Sequence, residues 1–169
     1  MALVVETGSG ATNSESYASV ADADAYFTAR TGTTTWAAAS TAGKEQALRD
    51  ATTYLDLTYG PRWVGRRVHE SQALDFPRQF ISDRDGFPVD SDEIPTRIKY
   101  ATIEAALMAL SENLLPDIAE PGSILEEEVK VGPVEQRIKY SSRSQIKRYR
   151  KVFEYVREFL YRGRLIERS

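Results

Sequence analysis

A chain of 169 residues fits one domain, or one domain with an appendage, and can bury roughly 70% of its unfolded surface. Its composition, 41% hydrophobic and 28% charged, is ordinary for a globular protein. The lack of cysteine excludes disulfides, thiolate zinc sites and cysteine nucleophiles. No signal-peptide pattern and no apolar run of membrane-spanning length occurs, so we expect a cytoplasmic protein without membrane contact.

Charge is distributed unevenly along the chain. Residues 1–136 carry 11 Lys and Arg against 22 Asp and Glu, a net −11, whereas residues 137–169 carry 11 against 3, a net +8. A basic end of this kind is typical of a nucleic-acid-binding tail, and equally of an element that docks on an acidic neighbour, including the next copy of the chain.

The first half of the chain predicts two helices behind an N-terminal arm, residues 1–18. Ser19 and Asp22 favour a helix start, and Gly32 a stop, which gives a first helix at about 19–31. The Thr- and Ala-rich run 33–41 is predicted to be a linker anchored by Trp36. Helical spacing predicts a second helix from Thr41 to Tyr59, closed by Gly60 as a C′ glycine.

The second half predicts a long extended loop, 61–94, then a third, Ala-rich helix beginning at Pro95. A β-hairpin is expected around Gly132 and Pro133, and a last amphipathic helix at about 143–162. The predicted fold is mainly α: a small bundle of about four helices with an extended loop and a hairpin appendage. Its segments are the arm, a helical core 19–115, a hairpin segment 116–142, and a basic helix and tail 143–169.

Catalytic and metal-binding patterns are hard to find. His69 is the only histidine, and phosphate-binding and nucleophile-elbow motifs are missing. The acidic stretch around Gly86 fails the EF-hand template. If Asp83 and Asp85 are the ligands at loop positions 1 and 3, position 5, which must also supply a ligand, is Phe87. We therefore expect no catalytic residue, no cofactor, no metal and no enzymatic activity.

Two groups of residues are predicted to make contacts instead. In the loop, Trp63 and Phe76 are expected to anchor the chain, while Arg66 and Arg67 face a partner. In the basic end, tyrosines alternate with cations, a pattern that suits either protein docking or single-stranded DNA. The cations concerned are Arg143, Lys147, Arg150, Lys151, Arg157 and Arg164.

Several motifs in fixed order resemble one family, the head-tail adaptors of tailed bacteriophages, some of which are labelled DnaT-like single-stranded DNA-binding proteins. The resemblance spans roughly residues 3–140. Its motifs lie at 17–27 and 44–56 and in Arg62-Trp-Val-Gly-Arg66, Leu74-Asp-Phe-Pro-Arg78, Glu93-Ile-Pro95 and Val129-Lys-Val-Gly-Pro133.

The resemblance implies a head-completion protein of the virion neck, assembled in the host cytoplasm. Such a protein forms a ring of twelve subunits below the portal protein, seals the packaged head, and carries the next connector or tail protein while DNA passes through. The alternative is a single-stranded DNA-binding protein that uses the basic C-terminal helix. A third option, the DNA-recognising subunit of a packaging enzyme, fits poorly because the nine-residue linker 33–41 is long for a helix-turn-helix.

Overall fold

The computed structural model describes residues 2–116 and 149–161, together with the backbone of two strands, Glu126–Val131 and Val134–Lys139. Two compact units divide the chain: Met1–Leu114 with Arg148–Ser169, and Leu115–Lys147. The first is helical and the second carries the hairpin, so the predicted fold class is confirmed. None of the helices in the described ranges is long and apolar enough to cross a membrane.

Helix α1 spans Val20–Thr28, and the predicted start is confirmed. Ser19 Oγ accepts the N–H of Asp22 at 3.0 Å, and Asp22 Oδ2 accepts the N–H of Ser19 at 3.0 Å. This reciprocal pair is a capping box, which satisfies two N–H groups that a helix start leaves unpaired. The helix ends before the predicted residue 31 because the N–H of Arg30 bonds to Phe27 in a tighter turn.

The predicted linker 33–41 contains a short helix, α2, at Thr34–Ala38. Trp36 is buried, as expected of an anchor, and its Nε1 donates to Asp24 Oδ1 at 2.7 Å. Lys44 Nζ lies 2.8 Å from the same oxygen. One carboxylate thereby joins α1, α2 and the following helix, and tertiary contacts, rather than local propensity, make the Thr-rich run helical.

Helix α3 spans Thr41–Tyr59, the predicted bounds. Its end differs from the prediction, because Gly60 has a right-handed φ of −43° and begins a 3₁₀ turn, Gly60–Arg62, instead of acting as a left-handed C′ glycine. Helix α4 spans Thr96–Ala109 with Pro95 as its N-cap. Small side chains on its buried face, such as Ala101 and Ala105, let it pack closely against α3 and against the last helix.

The last helix, α5, is shorter than predicted. It spans Arg150–Val156 and continues as a 3₁₀ turn, Arg157–Phe159, whereas Tyr149 is already extended. Its buried side chains include Val152, Val156 and Phe159. These residues pack into the core of the first unit. The remaining parts of the predicted helix, 143–148 and residue 162, lie outside the described residues.

The long loop contains a two-residue ribbon, β1 (Arg66–Arg67) and β2 (Arg78–Gln79), paired antiparallel. In the second unit, β3 (Glu126–Val131) and β4 (Val134–Lys139) form the predicted hairpin, with Val131 opposite Val134. The extended loop and the hairpin around residues 132–133 are therefore both observed.

Residues 5–16 of the N-terminal arm form a closed loop. Val5 bridges Ser16, and between them the buried carboxylate of Glu6 accepts hydrogen bonds from its own loop. Burial raises the pKa of Glu6, but the hydrogen bonds from its loop together lower it by more, so the pKa lies below its usual value. The donors are the N–H groups of Gly8, Gly10 and Ala11, at 2.9–3.0 Å, and the hydroxyls of Ser14 at 2.8 Å and Ser9 at 3.4 Å.

This arm is also fixed against the long loop. Ala11 O accepts the N–H of Ala73 at 2.9 Å. Gly8 has a φ of +117°, and a β-carbon there would lie 1.8 Å from the carbonyl oxygen of Asp92. Only glycine permits this approach, so the arm and the 61–94 loop form one surface.

We expect Glu6→Gln to lower the free energy of unfolding by about 1–3 kcal/mol, because an amide nitrogen replaces one acceptor in a ring of donors. Urea unfolding measures the change. Glu70→Gln, at an exposed position of the 61–94 loop, is the control and should change stability by less than about 0.5 kcal/mol. Equal effects of the two substitutions would contradict the role given to Glu6.

Candidate functional site

The 61–94 loop is tied to the body through a relay of hydrogen bonds among four residues. The hydroxyl of Tyr17 donates to Asp56 Oδ1 at 2.6 Å and accepts the N–H of Phe76 at 3.2 Å. Asp56 Oδ2 accepts the N–H of Asp75 at 3.2 Å. The relay joins the end of the arm, helix α3 and the middle of the loop, which are far apart in the sequence.

Burial raises the pKa of Asp56 to about 7, although the hydrogen bond from Tyr17 lowers it. Burial and the charge of Asp56 raise the pKa of Tyr17 well above its usual value. Both shifts have the same origin: the relay lies in the protein interior, where ionised groups are poorly solvated.

Arg78 fixes the ribbon from inside. It is buried, and its guanidinium donates to the carbonyl oxygens of Val64 at 2.9 Å, Gly65 at 2.8 Å and Asp75 at 3.2 Å. A buried guanidinium with several acceptors holds backbone segments in one geometry. The Leu74-to-Arg78 motif is therefore a structural clamp.

Trp63 and Phe76, the predicted anchors, lie buried in the aromatic core. Their ring centroids are 5.1 Å apart in an edge-to-face arrangement, and Phe76 lies 6.0 Å from Phe159. Such pairs stabilise beyond the area that they bury. They connect the loop to the 3₁₀ turn that follows α5.

Beyond the clamp, residues 80–89 form a compact hairpin, called here the 80–89 hairpin. Asp83 donates its N–H to Phe87 O at 2.9 Å, and Val89 donates to Ile81 O at 3.1 Å. Asp83 Oδ1 accepts the N–H groups of Asp85 and Phe87, each at 2.9 Å. The Asp83 carboxylate thus stabilises a turn, and no group of three or more His, Cys, Asp or Glu in the described ranges is placed to hold a metal ion.

The hairpin and its neighbours expose large aromatic rings. The exposed fractions are 73% for Phe80, 70% for Phe87 and 72% for Tyr161. Phe80 also has a φ of +61°, an uncommon conformation for a bulky residue. The guanidinium of Arg66 lies 4.9 Å from the Phe80 ring centroid. We call Phe80, Phe87, Tyr161, Arg66 and the exposed Arg84 the aromatic surface.

All five of the predicted basic contacts in the described ranges are exposed: Arg66, Arg67, Arg150, Lys151 and Arg157. Two of them also form ion pairs. Lys151 pairs with the buried Glu104 carboxylate, and Arg157 lies 2.7 Å from Glu154. The remaining predicted cations, Arg143, Lys147 and Arg164, lie outside the described residues.

The ion pair between Lys151 and Glu104 belongs to a larger polar network. The Glu104 carboxylate also accepts the hydroxyl of Tyr26 at 2.5 Å, and Tyr26 contacts Tyr155 through hydroxyls 3.1 Å apart. The network joins α1, α4 and α5. The described part of the basic C-terminal helix is therefore packed on the first unit.

Sequence reasoning missed the two exposed phenylalanines and the Glu6 loop. A signal existed for Phe87, because it interrupts an acidic turn of otherwise polar composition. Phe80 carried no comparable signal, since its exposure follows from a left-handed backbone that only the folded loop imposes.

These features define a small, mainly helical protein whose 61–94 loop exposes Phe80, Phe87 and several arginines. The family described as "Putative DnaT-like ssDNA binding protein" has a model that matches residues 1–168, and the chain belongs to this family. No curated protein matches the chain, and no solved structure matches it. The DnaT-like label that the motifs implied is thus confirmed, while the adaptor role stays a prediction.

The raised pKa of Asp56 predicts a pH dependence of stability. Between its unfolded value, about 4, and its folded value, about 7, the folded protein holds a proton that the unfolded chain has lost. The contribution of Asp56 to stability is therefore present below about pH 4 and is lost as the pH rises through about 7. The Asp56→Asn variant has no ionisable group at this position, so it should lack this loss of stability with rising pH.

Urea unfolding of both proteins at about pH 5 and about pH 7.5 measures the effect. The wild-type protein should lose more stability over this interval than Asp56→Asn, because contributions from other carboxylates cancel in the comparison. An identical pH dependence in the two proteins would show that Asp56 ionises normally.

Proposed function

We propose that the protein is a structural adaptor of a bacteriophage neck. It assembles as a ring of twelve subunits below the portal protein, seals the packaged head, and provides the attachment surface for the next connector or tail protein. In this role it works in the virion, after assembly in the host cytoplasm, and carries out no catalysis.

The aromatic surface is the observation that carries this proposal. Three aromatic side chains are each at least 70% exposed. Two of them, Phe80 and Phe87, lie on a backbone held by the hydrogen bonds of the 80–89 hairpin. Aromatic and Arg side chains are enriched at the energetic centres of protein interfaces, and clustered exposed apolar groups mark such interfaces.

Charge adds support for a ring around DNA. Residues 1–136 carry a net −11. A channel wall with acidic groups does not bind the phosphate backbone, so DNA moves past it freely. Weak contacts between subunits are sufficient in such an assembly, since simultaneous engagement around a ring raises the effective concentration.

The first test is sedimentation of the protein with and without a bacteriophage portal protein. The wild-type protein should co-sediment with the portal, and imaging should show stacked rings. The double variant Phe80→Ala, Phe87→Ala should co-sediment at least tenfold more weakly with unchanged thermal stability, because both rings are exposed.

Leu57→Ala provides a matched control, since Leu57 is 67% exposed on α3, outside the aromatic surface. It should leave the association unchanged. If the double variant associates with the portal as strongly as the wild-type protein, the aromatic surface is not the contact. If neither the wild-type protein nor any variant associates with the portal, the adaptor role is contradicted.

Single-stranded DNA binding is the second candidate function, favoured by the family description and by the Arg66–Phe80 stack. Exposed aromatic rings stack on bases, and arginines contact phosphates. The charges nearby oppose it, because the stretch from 83 to 93 holds five carboxylates and one Arg.

Fluorescence anisotropy with a labelled oligonucleotide at two salt concentrations tests this candidate. Binding by the aromatic surface predicts an affinity that falls steeply with salt, with a slope reduced by about 1 on replacing Arg66 by Ala. We expect no salt-dependent binding by the wild-type protein. A steep slope that depends on Arg66 would favour DNA binding over the adaptor role.

A further inference from the structure

An open cleft lies between the 80–89 hairpin and the last described residues. Its volume is about 430 Å³, within the range of roughly 300–1,000 Å³ that is usual for binding clefts. Val64, residues 81–84 and residues 158–161 line it. Ile81, Phe159 and Leu160 are buried and form an apolar floor.

The rim of the cleft is acidic. Asp83 and Glu158 line it, and Asp85 follows Arg84 at the exposed edge. Burial raises the pKa of Glu158. The guanidinium of Arg97, 3.0 Å away, lowers this pKa, and the carboxylates of Asp83 and Asp85 raise it. Arg97 pairs with Glu158 and Arg84 lies 3.6 Å from Asp85, so the carboxylate of Asp83 gives the rim its excess negative charge, which favours a cationic occupant.

The chain beyond Tyr161 has the complementary composition. Residues 162–169 read Arg-Gly-Arg-Leu-Ile-Glu-Arg-Ser, which is three cations and one carboxylate around Leu165 and Ile166. An aliphatic pair flanked by arginines suits an apolar floor with an acidic rim.

The direction of the described chain favours the cleft of another copy. Leu160 bridges Trp63 antiparallel, Val64 donates its N–H to Phe159 O at 2.9 Å, and Tyr161 donates to Arg62 O at 2.7 Å. The last described residues therefore run from Val64, which lines the cleft, toward Arg62, which does not. Tyr161, the last described residue, still lines the cleft, but its backbone pairs with Arg62 instead of with the cleft-lining Val64.

We propose that residues 162–169 of one copy occupy this cleft in a second copy, with Leu165 and Ile166 supplying the apolar contact and the arginines the ionic one. Each copy then donates a tail and accepts another, which is a head-to-tail contact that closes into a ring or extends into a filament. This inference deepens the proposed ring assembly and rests on association between copies, but not on the portal as a partner.

Cysteine cross-linking tests the proposal directly, because the chain has no cysteine of its own. Full-length protein with Ser82→Cys, in the exposed wall of the cleft, is mixed with full-length protein carrying Glu167→Cys and then oxidised. A disulfide-linked heterodimer is the expected product on a non-reducing gel. Leu57→Cys, at an exposed site on α3, replaces Ser82→Cys in the control and should give none.

A second measurement is sedimentation velocity of the double variant Leu165→Ala, Ile166→Ala. Its self-association should be about tenfold weaker or more, with an unchanged thermal midpoint. No cross-link above the Leu57→Cys control, or a cross-link that forms only within a single chain carrying both cysteines, would overturn the proposal.

The two proposals fail separately. Portal binding without the cross-link removes the tail contact and leaves the adaptor role, whereas the cross-link without portal binding keeps the tail contact and removes the adaptor role.

Discussion

The Asp56 carboxylate joins three parts of the chain that are distant in the sequence. It accepts the hydroxyl of Tyr17 at the end of the arm and the N–H of Asp75 in the long loop, while its own backbone belongs to α3. Because this group is only partly exposed to solvent, its polar atoms need partners within the protein. The relay therefore restricts the loop to one position, in which Arg78 reaches three carbonyl groups and Phe76 enters the aromatic core.

A loop held in this way can expose side chains that a flexible loop would fold inward. The backbone of the 80–89 hairpin is fixed by its own hydrogen bonds, so Phe80 and Phe87 remain in water even though burial of either ring would be favourable. Phe80 also keeps a left-handed conformation that costs about 1–3 kcal/mol. Contact of the rings with another molecule would offset these two costs. A rigid loop also loses little conformational entropy on binding.

The described part of the C-terminal segment has a structural role. Its positive charge left nucleic-acid binding and protein docking open, and both stay predictions. Lys151 compensates the buried carboxylate of Glu104, and α5 packs against α4, so this portion is needed for folding. The same segment that completes the core also leads into the residues of the proposed contact between copies.

The sequence by itself determined the local elements with strong signals. Helical periodicity defined α3 to the residue, Ser19 and Asp22 defined the start of α1, and the valines around Gly132 and Pro133 defined the hairpin. Tertiary structure decided the rest, because its causes are contacts between distant residues. The hydrogen bond between Trp36 and Asp24 stabilises a helix in the predicted linker. Five donors bond to Glu6 and close the arm. The hydrogen bonds of Arg78 fix the position of the long loop. Neither propensity nor periodicity contains these contacts, since they exist only once the chain has folded.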